Sequence, residues 1–148
     1  MTDDTNASQR RAAGPLSAPG RIKEIASAAN PIVKDIRALS QQRHRDETGL
    51  FLAEGLKLVG DALDAGWEIQ TLVIARAAAG HEFLEKTAAR TVSLGGDVLE
   101  ANAKVLEAIA RRDNPQSAIG VFRRRLTPLS KVALASGEVA VALDRVRD

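Results

Sequence analysis

The sequence predicts an α/β fold in which a small sheet lies between layers of helix, and three observations carry that prediction. Short apolar runs rich in β-branched residues alternate with segments whose apolar residues recur at helical spacing. Turn-forming residues stand at the junctions, as in Asn30-Pro31, Glu54-Gly55 and Gly66. The chain has 148 residues, 45% of them hydrophobic, which suits one compact domain and falls short of two.

In chain order, the first 20 residues lack periodicity and hold two prolines and two glycines, so a disordered leader is expected there. Their acids precede their bases, the wrong order for a secretory signal. No apolar run approaches the ~18 residues that span a bilayer. A soluble, cytoplasmic protein without a membrane partner is therefore predicted. Pro31 opens a helix whose Ile32, Ile36 and Leu39 share one face, while Lys34, Arg37, Arg43 and Arg45 form its basic side. Residues 49–53 read as a strand. Glu54-Gly55 then leads into a helix with Leu56, Val59, Ala62 and Leu63 on one face, which Gly66 stops. Ile69 to Ala75 reads as a strand, His81 to Ala89 as a helix, and Thr91 to Leu94 as a third strand. Asp97, with Glu100 three residues on, reads as the capping box of a helix that buries Val98, Val105, Leu106 and Ile109. Ser117 to Phe122 is a fourth strand. After a basic linker, Glu138 to Asp144 reads as a strand that opens a second domain.

Composition removes several kinds of chemistry. With no cysteine there is no disulfide, zinc ribbon, thiol nucleophile or iron–sulfur ligation. His44 and His81 stand apart from any metal-binding spacing, so no metal is expected. No Gly-rich phosphate loop and no nucleophile elbow is present, and no catalytic residue is assigned. Aromatics make up 3% of the chain, too few to stack several bases.

Charge is more informative than its total. The net value is only +2, yet residues 21–45 carry six bases against two acids and residues 104–131 seven against two. The middle, 46–103, holds four bases and ten acids. Such segregation can build a basic face that grips phosphates. Lys34, Arg37, Arg43, Arg45, Arg111 and Arg112 are the candidate phosphate ligands. Asn114 and Gln116, in a turn, have amides that can read a base edge or a 2′-hydroxyl. Asn30 is expected to start the first helix by accepting a backbone N–H, and Glu54 to favour the next helix from its amino end.

Three stretches point to a family. Ile25 to Lys34 with Leu39, Arg43, Arg45 and Gly49-Leu-Phe-Leu-Ala-Glu-Gly55 resembles the opening of the amino-terminal substrate-binding domain of SpoU/TrmH-type RNA ribose 2′-O-methyltransferases. Asp113 to Phe122 is similar to the Pro-Gln turn and strand that close that domain, with Ser117 where the family often has glycine. Val139 to Asp148 resembles the first strand of the family's catalytic domain. The resemblance implies a three-layer α/β/α sandwich like the kink-turn-binding ribosomal proteins, set before a trefoil-knotted SPOUT domain. It divides the chain into the leader (1–20), an RNA-binding domain (21–125), a linker (126–137) and the start of the catalytic domain (138–148). It also implies that S-adenosylmethionine and dimerisation belong to the catalytic domain, whose functional residues lie past Asp148. An RNA-binding domain that presents rRNA or tRNA, without a cofactor and inactive alone, is the resulting expectation. The alternative is a free-standing kink-turn-type protein of a ribonucleoprotein, for which a strand at 138–144 has no use. A protein-interaction module using the acidic middle is a third.

Overall fold

In the computed structural model, which describes residues 18–111 and 113–144, ten helices and strands interleave along the chain. Strand β1 (Ile22–Ile25) leads to helices α1 (Pro31–Ala38) and α2 (Gln42–Thr48). Strand β2 (Leu50–Glu54), helix α3 (Leu56–Asp64), strand β3 (Ile69–Ala75) and helix α4 (Glu82–Ser93) follow. Strand β4 (Asp97–Ala101), helix α5 (Ala103–Ala110) and strand β5 (Ala118–Arg123) complete the set. The strands form one sheet in the order β1-β4-β3-β5-β2. β1, β4 and β3 pair in parallel, and β5 is antiparallel to both β3 and β2.

Alternation along the strands sends side chains to two separate cores. On one face Val73, Leu99, Ile119 and Val121 meet Val33, Ile36 and Leu39 of the α1 region and Val105, Leu106 and Ile109 of α5. On the other, Leu72, Ile74, Val98, Ala118 and Phe122 meet Val59 and Leu63 of α3 and Leu84 and Ala88 of α4. The predicted α/β class, a sheet between helices, is what the chain builds.

Several elements differ from expectation. The basic face does not run along one helix: α1 ends at Leu39, and Arg43 and Arg45 ride on α2, which closes at Gly49 in a left-handed conformation (φ 68°). Residues 91–94 are no strand. They complete α4 and its cap, where the buried Thr91 hydroxyl donates to the Thr87 carbonyl (2.9 Å). Asp97 caps no helix either. It opens β4, and its carboxylate accepts from the Arg21 N–H (2.9 Å) and the Lys23 ammonium (2.7 Å), which fastens the edge strand β1. Asn102 caps α5 instead: its Oδ1 accepts from the Val105 N–H (3.0 Å) and its Nδ2 donates to the Ala26 carbonyl (2.9 Å). β1 itself was not expected, because four residues with Lys and Glu in the middle carry little strand signal.

Residues 138–144 form neither helix nor strand, and Val139, Val141 and Leu143 are 85%, 78% and 78% exposed. An apolar alternating segment becomes a strand only when a neighbour supplies hydrogen bonds, and no described strand lies beside this one. Of the expected leader, residues 1–17 lie outside the described residues. Gly20 is held in place: its N–H donates to the Val92 carbonyl (3.0 Å), and a Cβ on it would stand 1.8 Å from the Gly96 carbonyl oxygen.

Candidate nucleic-acid interface

Asn30 accepts the Ile32 N–H (2.9 Å) and Pro31 supplies the first helical residue, so α1 starts as its sequence dictates. Val33 and Ile36 turn into the core, and that rotation leaves Lys34 and Arg37 exposed on the outer side. Across from them is the end of α5. Between the two helices lies a groove of about 390 Å³ lined by Lys34, Arg37, Ser40, Gln41, Glu107 and Arg111, together with Ala38 and Ala108. Arg111 stands at the C-cap of α5 with φ 58°; its N–H donates to the Glu107 carbonyl (2.8 Å) and its guanidinium to the Ser40 hydroxyl (3.1 Å). Three cations thus face one carboxylate.

Several other bases are engaged with protein. Arg45 donates from Nη1 to the Leu39 and Ser40 carbonyls (2.9 Å each), which satisfies the end of α1. Arg43 pairs with Glu47 one turn on (2.7 Å), out in solvent. Arg124 pairs with Asp46, Arg123 with Glu68, Arg90 with Asp64, and Arg76 with Glu24. Among the described residues Lys34 and Arg37 have no acidic partner, so their charge is available to a ligand. Of the eight residues expected at the interface, Lys34, Arg37 and Arg111 come together. Arg45 is turned inward as a helix cap, Arg43 points away into its ion pair, and Arg112 lies outside the described residues.

Asn114 and Gln116 sit on the loop between α5 and β5, both exposed. The Gln116 N–H donates to Glu54 Oε1 (3.1 Å), so Glu54 holds this loop to the β2–α3 junction. Asn114 lines a second groove of about 560 Å³ at the carboxyl ends of β3 and β4, beside Arg76, Asn102 and Asp113. Glu107 borders both grooves, which makes one surface: cations on one side, the Asn114 amide beside Arg76 and Asp113 on the other. Sequence reasoning missed Ser40, Arg76 and Asn102. Asn102 follows a strand and precedes an apolar helical stripe, a cap signal outweighed by the Asp97–Glu100 pair; nothing in the sequence marks Ser40. No group of three histidine, cysteine, aspartate or glutamate side chains that could hold a metal occurs among the described residues, nor does any helix long and apolar enough to cross a membrane.

Residues 30–120 match the family model of the MRM3-like substrate binding domain. The chain belongs to that family. Among solved structures it is similar to an AdoMet-bound rRNA methyltransferase from Sinorhizobium meliloti, with 55% identity over 79% of this chain and 42% of that one, at a TM-score of 0.72. An RNA 2′-O ribose methyltransferase shares 28% identity over 78% of this chain and 43% of its own, at a TM-score of 0.63. The SpoU methyltransferase AviRb from Streptomyces viridochromogenes, 19% identical over 72% and 38%, shares the fold at a TM-score of 0.54. A comparison with curated proteins gave no match. This MRM3-like domain therefore spans about two fifths of the length of the structures it matches, and the expected resemblance to the substrate-binding domain of SpoU/TrmH-type methyltransferases is borne out. The cofactor belongs to those relatives. The groove between α1 and α5, with three cations, is a poor setting for the sulfonium of AdoMet, and no residue here is assigned to hold it.

Proposed function

We propose that this domain is the RNA-recognising part of an rRNA ribose 2′-O-methyltransferase, gripping the phosphate backbone of structured RNA and presenting it to a catalytic domain that binds AdoMet. The observation that carries the reading is the convergence of Lys34, Arg37 and Arg111 on one groove, while Arg43 and Arg45 nearby are held by an ion pair and by carbonyls. A groove without aromatic side chains favours backbone over unstacked bases. The adjoining amide of the exposed Asn114 suits a 2′-hydroxyl or a base edge.

Within this reading the fold is of the kink-turn-binding type, with residues 21–125 as the RNA-binding domain and 126–137 as its linker. Residues 138–144 are read as the first strand of a SPOUT domain, supported by their exposed, alternating Val139, Val141 and Leu143. Dimerisation is assigned to the catalytic domain, and the setting is read as cytoplasmic. The test is binding of the full chain to a labelled rRNA-derived hairpin by fluorescence anisotropy across a salt series. Affinity should fall steeply from about 50 to about 200 mM KCl, as counterion release requires. Failure to bind at the lowest salt overturns the reading.

A further inference from the structure

Arg111 is the one non-glycine residue with positive φ among the described residues. A left-handed C-cap is ordinarily glycine, or asparagine, because a Cβ crowds the backbone there. The conformation also redirects the side chain. Had Arg111 continued the helix, Glu107 four residues back would have been its natural partner. Instead, no ion pair joins the two among the described residues, and the guanidinium crosses to α1 and the Ser40 hydroxyl (3.1 Å). A basic residue at a helix end is commonly explained by the negative end of the helix dipole. The dipole of α5 does not account for the direction of the side chain, because the contact Arg111 makes is to a hydroxyl beyond α1. The hydroxyl takes one N–H of a five-donor fork and leaves the others facing the groove beside Lys34 and Arg37.

We infer that Arg111 is kept in a strained backbone conformation in order to aim its guanidinium, steadied by Ser40, as the phosphate-gripping residue of the groove. The inference rests on the RNA-binding reading above and adds which residue holds the phosphate and what it costs the fold. Backbone strain of this kind clusters at functional sites such as ligand clamps.

The experiment compares Arg111→Gly and Arg111→Lys with the wild-type full chain, by thermal unfolding and by binding to the same labelled hairpin. Arg111→Gly is expected to unfold a few degrees higher, since glycine accepts φ 58° without strain, while its affinity falls about five- to tenfold and its salt slope drops by about one. Arg111→Lys keeps the charge, loses the fork, and should bind between the two. Wild-type affinity in Arg111→Gly overturns the inference and leaves RNA binding standing. A lowered unfolding temperature in that variant overturns it also, because Arg111 would then be supporting the fold. If the wild type itself does not bind the hairpin, the reading fails and the inference goes with it.

Discussion

Arg43 and Arg45 stand two residues apart on α2, and their surroundings separate them. Arg45 gives two charge-assisted hydrogen bonds to the carbonyls that end α1, so Arg45→Ala should cost about 1–3 kcal/mol in urea unfolding and leave RNA affinity nearly unchanged. Arg43 holds only an exposed ion pair to Glu47, worth about 0.3–0.5 kcal/mol, so Arg43→Ala should unfold almost with the wild type. Equal losses in the two variants would contradict this division. Asp97 carries a pH dependence of its own. The Lys23 hydrogen bond first, and the Arg21 N–H second, hold its carboxyl below the usual carboxylate range. A depressed folded pKa stabilises the native state above the unfolded value of about 3.9, and that contribution is lost as pH falls through the folded pKa. Both partners are more than a third exposed, so solvent screening keeps the effect small. Stability measured between about pH 2 and pH 5 should therefore fall less steeply on acidification in Asp97→Asn than in the wild type; identical slopes would show that the pair contributes nothing.

Asn102 decides where α5 begins, through both ends of its amide. Asn102→Asp keeps the cap oxygen and loses the donor to Ala26, whereas Asn102→Ala loses both. The alanine variant should be destabilised by about 1–2 kcal/mol and the aspartate variant by less, read from denaturant midpoints; equal losses would place the value of this residue in its tie to the β1–α1 loop. The same element shows what was legible in the sequence. The stripe Val105, Leu106, Ile109 sets α5, and Asn30-Pro31 sets α1, because the buried face and the cap are both local. β4 is hidden in the sequence because Val98 and Leu99 are buried on opposite faces of a central strand, a pattern that removes the alternation by which a strand is recognised. Asp97 gave a false cap signal since its partners, Arg21 and Lys23, lie more than seventy residues away in the chain. The site was legible as charge but not as geometry. Lys34, Arg37 and Arg111 could be picked out as bases, while the turning of Arg45 onto α1 and of Arg111 toward Ser40 depends on the packing of α1 against α5.

At the scale of the molecule the question is whether RNA responds to net charge or to a place on the surface. The formal charge of +2 is too small to decide, but the structure offers two pairs of bases at separate places on the surface. Lys34 and Arg37 lie on α1, over the core formed with α5. Arg123 pairs with Glu68, and Arg125 lies 5.1 Å from the centre of the Trp67 ring, which packs with the α3 and α4 core. With Arg124 bound to Asp46, three consecutive arginines are tied down where the chain leaves β5, so their charge fixes the path of the following segment. Lys34→Ala with Arg37→Ala, and Arg123→Ala with Arg125→Ala, each remove two positive charges. A net-charge effect would weaken RNA binding equally in both. A local interface requires the first pair to lose about two units of salt slope with the fold intact, and the second to keep its slope while losing roughly 1 kcal/mol of stability with the ring contact and the ion pair. Parallel salt series and unfolding curves on the two variants separate these outcomes, and equal slopes would return the groove between α1 and α5 to an ordinary solvated surface.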